Sequence, residues 1–183
     1  MNKFDLSDYF VQYGYDPSKK FAAFYGNKGQ DIFGNFWIMP KRVVYGGVHA
    51  NNIEALYHAS KFLNGEIRNK FNNLSPLQAY YMSRKYAKYV RKDWNSIRDS
   101  TMNELLRIKF KIPVCTLVLL LTESKYLVEH NPVKGRDNYW SDDHDGSGQN
   151  KLGEMLMNIR KEYFGEGIVE KPNDYVQWIS NNL

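Results

Sequence analysis

Three groups of residues in this sequence have the types and spacing for chemistry. The first is Glu54, His58 and Lys61. A helix advances about 100° per residue, so these steps of four and three put a carboxylate, an imidazole and an amine on one face. Leu56, Ala59, Phe62 and Leu63 fall on another. Such a row is either a solvated ladder, worth roughly 0.2–0.5 kcal/mol per pair, or one wall of a cleft. The second group is Asp143, Asp145, Ser147, Gly148 and Glu154, which match positions 1, 3, 5, 6 and 12 of a calcium-binding EF-hand loop. Asn150 and Lys151 stand at positions 8 and 9, and Pro132 with Gly135 leaves no room for an entering helix, so the match is read as fortuitous.

The third group is a polar loop, about 129–149, with Asp137, Trp140, Asp142, Asp143 and Asp145 close together. Crowded carboxylates raise one another's pKa or require a cationic partner. A carboxylate beside an aromatic platform can stabilise an oxocarbenium-like transition state while the ring stacks a base or sugar; the alternative is a solvated acidic loop. Trp94 at a helix start is either core or a stacking surface. The basic segment from Arg84 to Lys92, interleaved with Tyr86 and Tyr89, either grips phosphates or is an ordinary solvated face. No P-loop, Rossmann fingerprint or Gly-x-Ser-x-Gly elbow is present.

The elements that must position these groups follow from local pattern. Residues 1–20 are read as an arm. Phe21 to Tyr25, closed by Gly26-Asn27, suits a short buried strand. Gly46-Gly47 between Val43-Val44-Tyr45 and Val48-His49 has the chemistry of a tight hairpin. A helix capped at Asn51 or Asn52 is expected to run to Leu63 and to stop at Asn64-Gly65. Ser75-Pro76-Leu77-Gln78 is a capping box that opens the next helix. Asp93 is expected to cap a third, with Trp94, Ile97, Thr101, Leu105 and Ile108 as its buried stripe. Pro113 opens an apolar helix through Leu121, expected at the centre of the fold, and Tyr126 to Val128 suits a short strand. Asn150 is expected to cap a helix with Leu152, Met155, Leu156, Ile159 and Tyr163 buried, ended by Gly165, and Lys171 to Leu183 reads as a small extra helix.

The chain has 183 residues, 43% of them hydrophobic, with 14 Tyr, 10 Phe and 4 Trp, which excludes two large domains and a disordered chain. The fold class is α+β: a mainly α-helical single domain with short N-terminal β-strands and a hairpin. Its boundaries are an arm at 1–20, a catalytic domain at 21–165 and a C-terminal extension at 166–183. The net charge of +5 favours an anionic partner. The lone Cys115 suits a reducing cytosol, and neither a signal peptide nor a membrane-spanning run is present, so the expected location is cytoplasmic, with no membrane partner. A monomer suffices for this reading.

At these same places the chain resembles the NADAR family, named for NAD and ADP-ribose and including the YbiA-type N-glycosidases. Glu54-Ala55-Leu56-Tyr57-His58-Ala59-Ser60-Lys61-Phe62 keeps the Glu, Ala, Lys and Phe of the family's Glu-His-Tyr-x-Gln-Ala-x-Lys-Phe motif. Phe24-Tyr25 and Phe33-Gly34-Asn35-Phe36 resemble its upstream elements. Ser75-Pro76, Arg84, Trp94, Lys109-Phe110, Asp137, Tyr139-Trp140, Asp142, Asn150 and Leu152-Gly153 fall in its order. Ala55 replaces the usual His and His58 the usual Gln.

The resemblance implies hydrolysis of an N-ribosidic bond, either in a riboflavin-pathway intermediate or between ADP-ribose and guanine in nucleic acid. It implies Glu54 as catalytic carboxylate and Lys61 as the second essential group; beside them, Asp137 or Asp142 is expected to assist from the loop. Asn35, Phe36, Arg84, Trp94, Trp140, Asp142, Asn150 and Gly153 are implied to shape the substrate pocket. No cofactor and no metal are implied. Lys61 is expected either to hold Glu54 ionised or to attack the sugar as an amine. Positive charge and surplus aromatics favour ADP-ribosylated DNA as partner, with an antitoxin or counter-defence role. The rivals are a riboflavin-pathway N-glycosidase, a non-catalytic module that only binds ADP-ribose or NAD, and a plain DNA-binding protein.

Overall fold

The computed structural model describes residues 16, 18–24, 31–165 and 170–182. In chain order its elements are β1 (Phe21–Phe24), β2 (Val43–Tyr45), β3 (Val48–Ala50), α1 (Ile53–Ser60), α2 (Gly65–Asn69), α3 (Pro76–Lys85), a 3-10 turn (Ala87–Tyr89), α4 (Trp94–Lys109), α5 (Pro113–Leu121), β4 (Tyr126–Glu129), α6 (Lys151–Phe164) and α7 (Asn173–Asn182). The fold is α+β and mainly helical, as expected. Two compact units divide it: Asn35–Ile112, and a second unit built from the residues on either side of that stretch.

In the unit Asn35–Ile112, β2 and β3 form the expected antiparallel hairpin, pairing Val43 with Ala50 and Tyr45 with Val48. Gly46 and Gly47 have φ of +55° and +82°. A two-residue turn that matches strand twist needs positive φ at both positions, which glycine adopts without strain.

Asn52 caps α1 by accepting the Ala55 N–H at 2.8 Å, and its amide donates to the Leu74 carbonyl at 2.9 Å. Helix α1 stops at Ser60, short of the expected Leu63. The Ser60 hydroxyl donates back to the Leu56 carbonyl, Lys61 turns out of the helix, and Leu63 is 69% exposed instead of buried. Asn64 does not merely end a helix. It accepts the Ile67 N–H and caps α2, a single turn whose one buried residue, Ile67, left no periodic signal.

Helix α3 opens on the expected reciprocal capping box of Ser75 and Gln78. Asp93 precedes α4 but makes no side-chain cap; Arg91 takes its carboxylate in two hydrogen bonds. The buried seam of α4 is Thr101, Met102, Leu105, Leu106 and Lys109, so it is rotated from the expected stripe and leaves Ile97 and Ile108 half-buried. Phe62 stacks on Phe71 beneath α1, with both rings buried.

In the other unit β1 lies parallel to β4, with Phe21 paired to Tyr126 and Phe24 to Glu129. The Gly26-Asn27 closure and most of the N-terminal arm fall outside the described residues. Helix α5 runs from Pro113 to Leu121 as expected, yet it is not central: Cys115, Val118 and Leu119 are buried while Leu117 and Leu120 are exposed. Helix α6 buries Leu152, Leu156 and Ile159, and Gly165 at φ +79° ends it. Met155 and Tyr163 of its expected stripe are half-buried. Buried Arg160 donates to the Thr122 hydroxyl and the Lys125 carbonyl. Helix α7 packs Tyr175 and Ile179 against Phe21 and Val128. Among the described residues no helix is long and apolar enough to cross a membrane.

Candidate active site

The first turn of α1 fixes Glu54. Its N–H donates to the Asn35 carbonyl at 3.1 Å, and the Asn52 cap sets the helix start beside it. One turn on, His58 Nε2 lies 2.8 Å from Glu54 Oε1; the two side chains are 9% and 13% exposed. The row is therefore not a solvated ladder. His58 is edge-on to the Tyr80 ring, and the Arg84 guanidinium lies over that ring, 4.6 Å from its centroid. Asn35 Oδ1 and His58 Nδ1 are buried and accept or donate no hydrogen bond among the described residues. Phe36, next to Asn35, is half-buried.

Lys61 leaves the end of α1 into a corner made by two rings. Its Nζ is 5.3 Å from the Tyr57 centroid and 5.7 Å from that of Trp94, and the rings meet edge to face at 5.0 Å. The Lys61 carbonyl accepts the Arg91 N–H at 2.8 Å, which anchors the turn. Burial pushes the amine down from 10.5 to about 8. The Glu54 carboxylate opposes that shift and the Arg84 charge adds to it. Glu54, Lys61 and Arg84 thus share one electrostatic environment, and Trp94 is a platform under the amine as well as a packing residue.

This arrangement offers a carboxylate that can offset positive charge, an amine with a neutral fraction near pH 7, and aromatic walls. Asn35, Glu54, Lys61, Arg84 and Trp94, singled out from the sequence, come together here. Tyr57 and Tyr80 were missed. Tyr57 lies three residues after Glu54 and four before Lys61, a spacing that already put it between them on a helix.

The loop residues form a second, differently organised group. Asp137 Oδ1 accepts the N–H groups of Tyr139 and Trp140, shaping the turn that carries Trp140 against Tyr139. Asp142 is 1% exposed: Oδ2 accepts from His130 Nδ1 and the Tyr175 hydroxyl, each at 2.7 Å, and Oδ1 accepts the N–H groups of Asn131 and His144. Burial works against its charge, but those donors win and hold its pKa below the usual carboxylate range. Burial, with the Asp142 bond, pushes the Tyr175 phenol up.

Asn150 begins α6 but does not cap it with its side chain. Its amide ties the helix start to β4, accepting from the Glu129 N–H and donating to the Leu127 carbonyl and the Tyr126 hydroxyl. Gly153 lets α6 approach β4: a Cβ there would meet the Leu127 carbonyl oxygen at 2.2 Å and the Asn150 amide at 2.6 Å. The EF-hand-like carboxylates are committed to lysines. Lys134 bridges Asp143 and Asp145, and Lys151 pairs with Glu154. Among the described residues no cluster of His, Cys, Asp and Glu could hold a metal ion.

The NADAR domain model matches residues 23–163. N-glycosidase YbiA of Escherichia coli strain K12 is 36% identical over 132 residues, covering 71% of this chain and 79% of its own length, and that of Shigella sonnei matches to the same extent. A riboflavin biosynthesis protein of Vibrio vulnificus is 32% identical over 139 residues, covering 74% of this chain and 36% of its own. The NMR structure of E. coli YbiA superposes with a TM-score of 0.67 at 32% identity, covering 78% of this chain and 84% of that one. With a family match over most of its length and a shared fold, the chain belongs to the NADAR family.

Proposed function

We propose that this protein is an N-glycosidase that removes ADP-ribose from guanine bases in nucleic acid. The observation that carries the reading is the depressed amine of Lys61, set in an aromatic corner within the field of Glu54. Family membership and the N-glycosidase names of its relatives support the reaction class.

Breaking a ribosyl C1–N bond builds positive charge on the sugar and electron density on the departing base. The neutral Lys61 amine attacks C1, forming a C1–N bond to lysine as the bond to guanine breaks. The bond's electron pair leaves with the guanine, which takes a proton from solvent, while the attacking nitrogen loses one to Glu54. Before that transfer the Glu54 carboxylate offsets the charge at C1. Glu54 then returns that proton to the lysine nitrogen as its bond to C1 breaks. The freed carboxylate takes a proton from the water that adds at C1 and passes it to solvent, which regenerates the amine and releases ADP-ribose. His58 holds Glu54 in place, Arg84 suits the pyrophosphate, and the Asn35 Oδ1 acceptor suits a ribose hydroxyl. Asp137, Trp140, Asp142, Asn150 and Gly153 act in this reading by shaping the loop and the start of α6.

A second reading is favoured by the Vibrio vulnificus relative, a riboflavin biosynthesis protein: hydrolysis of a pyrimidine riboside phosphate in flavin metabolism. Incubating the protein in parallel with that metabolite class and with an ADP-ribosyl-guanine nucleoside separates the two by which one is cut: the first would release a free pyrimidine, the second ADP-ribose and the unmodified nucleoside. The Glu54→Ala variant separates both from a module that only binds ADP-ribose: the enzyme reading expects retained affinity with lost turnover. Activity on modified DNA would place the protein as an antitoxin or counter-defence factor that acts in the cytoplasm.

A further inference from the structure

From Ile67 to Lys92 the chain carries seven basic residues and no acidic one, against an excess of only five over the whole sequence. The positive charge is therefore concentrated in α3, the 3-10 turn after it and their flanks, and the rest of the chain is slightly acidic. Arg84, Lys85, Lys88 and Lys92 are all exposed, and none of them joins an ion pair among the described residues. Arg91 differs, since Asp93 takes its guanidinium. Tyr81, just before these cations, and Tyr89, between Lys88 and Lys92, are 62% and 52% exposed. Large aromatic rings left in water beside unpaired cations form no core contact that would explain them.

The rings and cations are already arranged in pairs. Lys88 Nζ lies 4.9 Å from the Tyr89 centroid, Lys85 Nζ 5.9 Å from that of Tyr86, and Tyr86 and Tyr89 are 6.3 Å apart. Tyr81 meets Tyr80 edge to face at 5.5 Å. Tyr80 in turn touches His58, the partner of Glu54, so one end of this band adjoins the candidate active site.

We propose that this band is a track for single-stranded nucleic acid, on which the nucleotides flanking the reacting base lie. The inference rests on the reading of the substrate as a modified strand, and adds where the unmodified part of that strand is held. Spaced cations suit successive phosphates, and exposed tyrosines suit unpaired bases of any sequence. An anionic lipid surface would use the cations, but it would not call for flat rings interleaved with them; a membrane partner would instead show a continuous apolar face.

The test uses an unmodified, fluorescein-labelled 12-nucleotide single strand and anisotropy at graded salt. Four phosphate contacts give a log–log salt slope of about −3, since each contributes about 0.7 on single strands. Lys85→Gln/Lys88→Gln/Lys92→Gln should weaken binding at least tenfold at low salt and flatten the slope by about 2. Tyr89→Ala should weaken binding about tenfold with no change in slope. Both variants should hydrolyse an isolated ADP-ribosyl-guanine nucleoside as the wild type does. Equal affinity of the triple variant and the wild type overturns the proposal. So does binding to phosphatidylserine vesicles without binding to the oligonucleotide. If the strand binds through the band while no N-glycosidic bond of any substrate is cut, the catalytic reading fails and the track stands.

Discussion

The amine of Lys61 lies over the ring of Trp94, 5.7 Å from its centroid, and burial there brings its pKa down to about 8. A nucleophile that must be neutral is then switched on as pH rises. The value of kcat/KM should climb with unit slope below about 8 and level off above it. Sodium cyanoborohydride added during turnover should trap a sugar adduct on Lys61, read by peptide mass spectrometry. Lys61→Arg should lose activity by at least ~10²-fold, because a guanidinium does not deprotonate in this range. The same shift has a sign for stability. The folded state binds fewer protons than the unfolded chain between about 8 and 10.5, so the Lys61 contribution rises with pH through that window.

His58 fixes the rotamer of Glu54 through their 2.8 Å contact. Replacing it by leucine frees the carboxylate, and displacement of a catalytic group by about 1 Å costs on the order of 10²-fold in rate. His58→Leu should therefore lower kcat about that far with little change in KM. His58→Gln, whose amide can still donate to Glu54, should recover most of the rate.

Tyr175 donates to buried Asp142, and the donors around that carboxylate keep it ionised. Tyr175→Phe removes a hydrogen bond to a charged group, worth about 1.5–3 kcal/mol. Since the folded pKa is depressed, this contribution is complete above the unfolded value of about 3.9 and is lost as pH falls through the folded one. Urea unfolding should show the variant destabilised at pH 7, with the difference shrinking below pH 4.

Gly153 lies where α6 meets β4, and a methyl group there collides with the backbone oxygen of Leu127. That atom belongs to a strand paired with β1 and cannot swing aside. Gly153→Ala should destabilise the fold by about 1–3 kcal/mol, seen as a lower Tm.

Much of this structure was legible where a local rule suffices. The Ser75–Gln78 capping box, the Gly46-Gly47 hairpin and the Pro113 helix start each depend on a few adjacent residues and occur as expected. The Glu54 and Lys61 row was legible because helical spacing alone brings those residues to one side. What was not legible depends on distant partners. Asn150 looks like a helix cap, but its amide is claimed by β4. Asp142 looks like part of a reactive acidic loop until Tyr175 and His130 are seen to close over it. The parallel pairing of β1 with β4 leaves no trace in either short segment. The early end of α1 at Ser60 escaped because Lys61 and Phe62 keep helical spacing after the helix has stopped.

The most direct test of the paired roles of Glu54 and Lys61 is mass spectrometry of a guanine-ADP-ribosylated oligonucleotide after incubation with the wild type and with Glu54→Gln. The wild type is expected to remove the whole ADP-ribose mass and leave the guanine in the strand, and the variant to leave the oligonucleotide unchanged. An unchanged oligonucleotide with the wild type, or equal removal by both proteins, would contradict it.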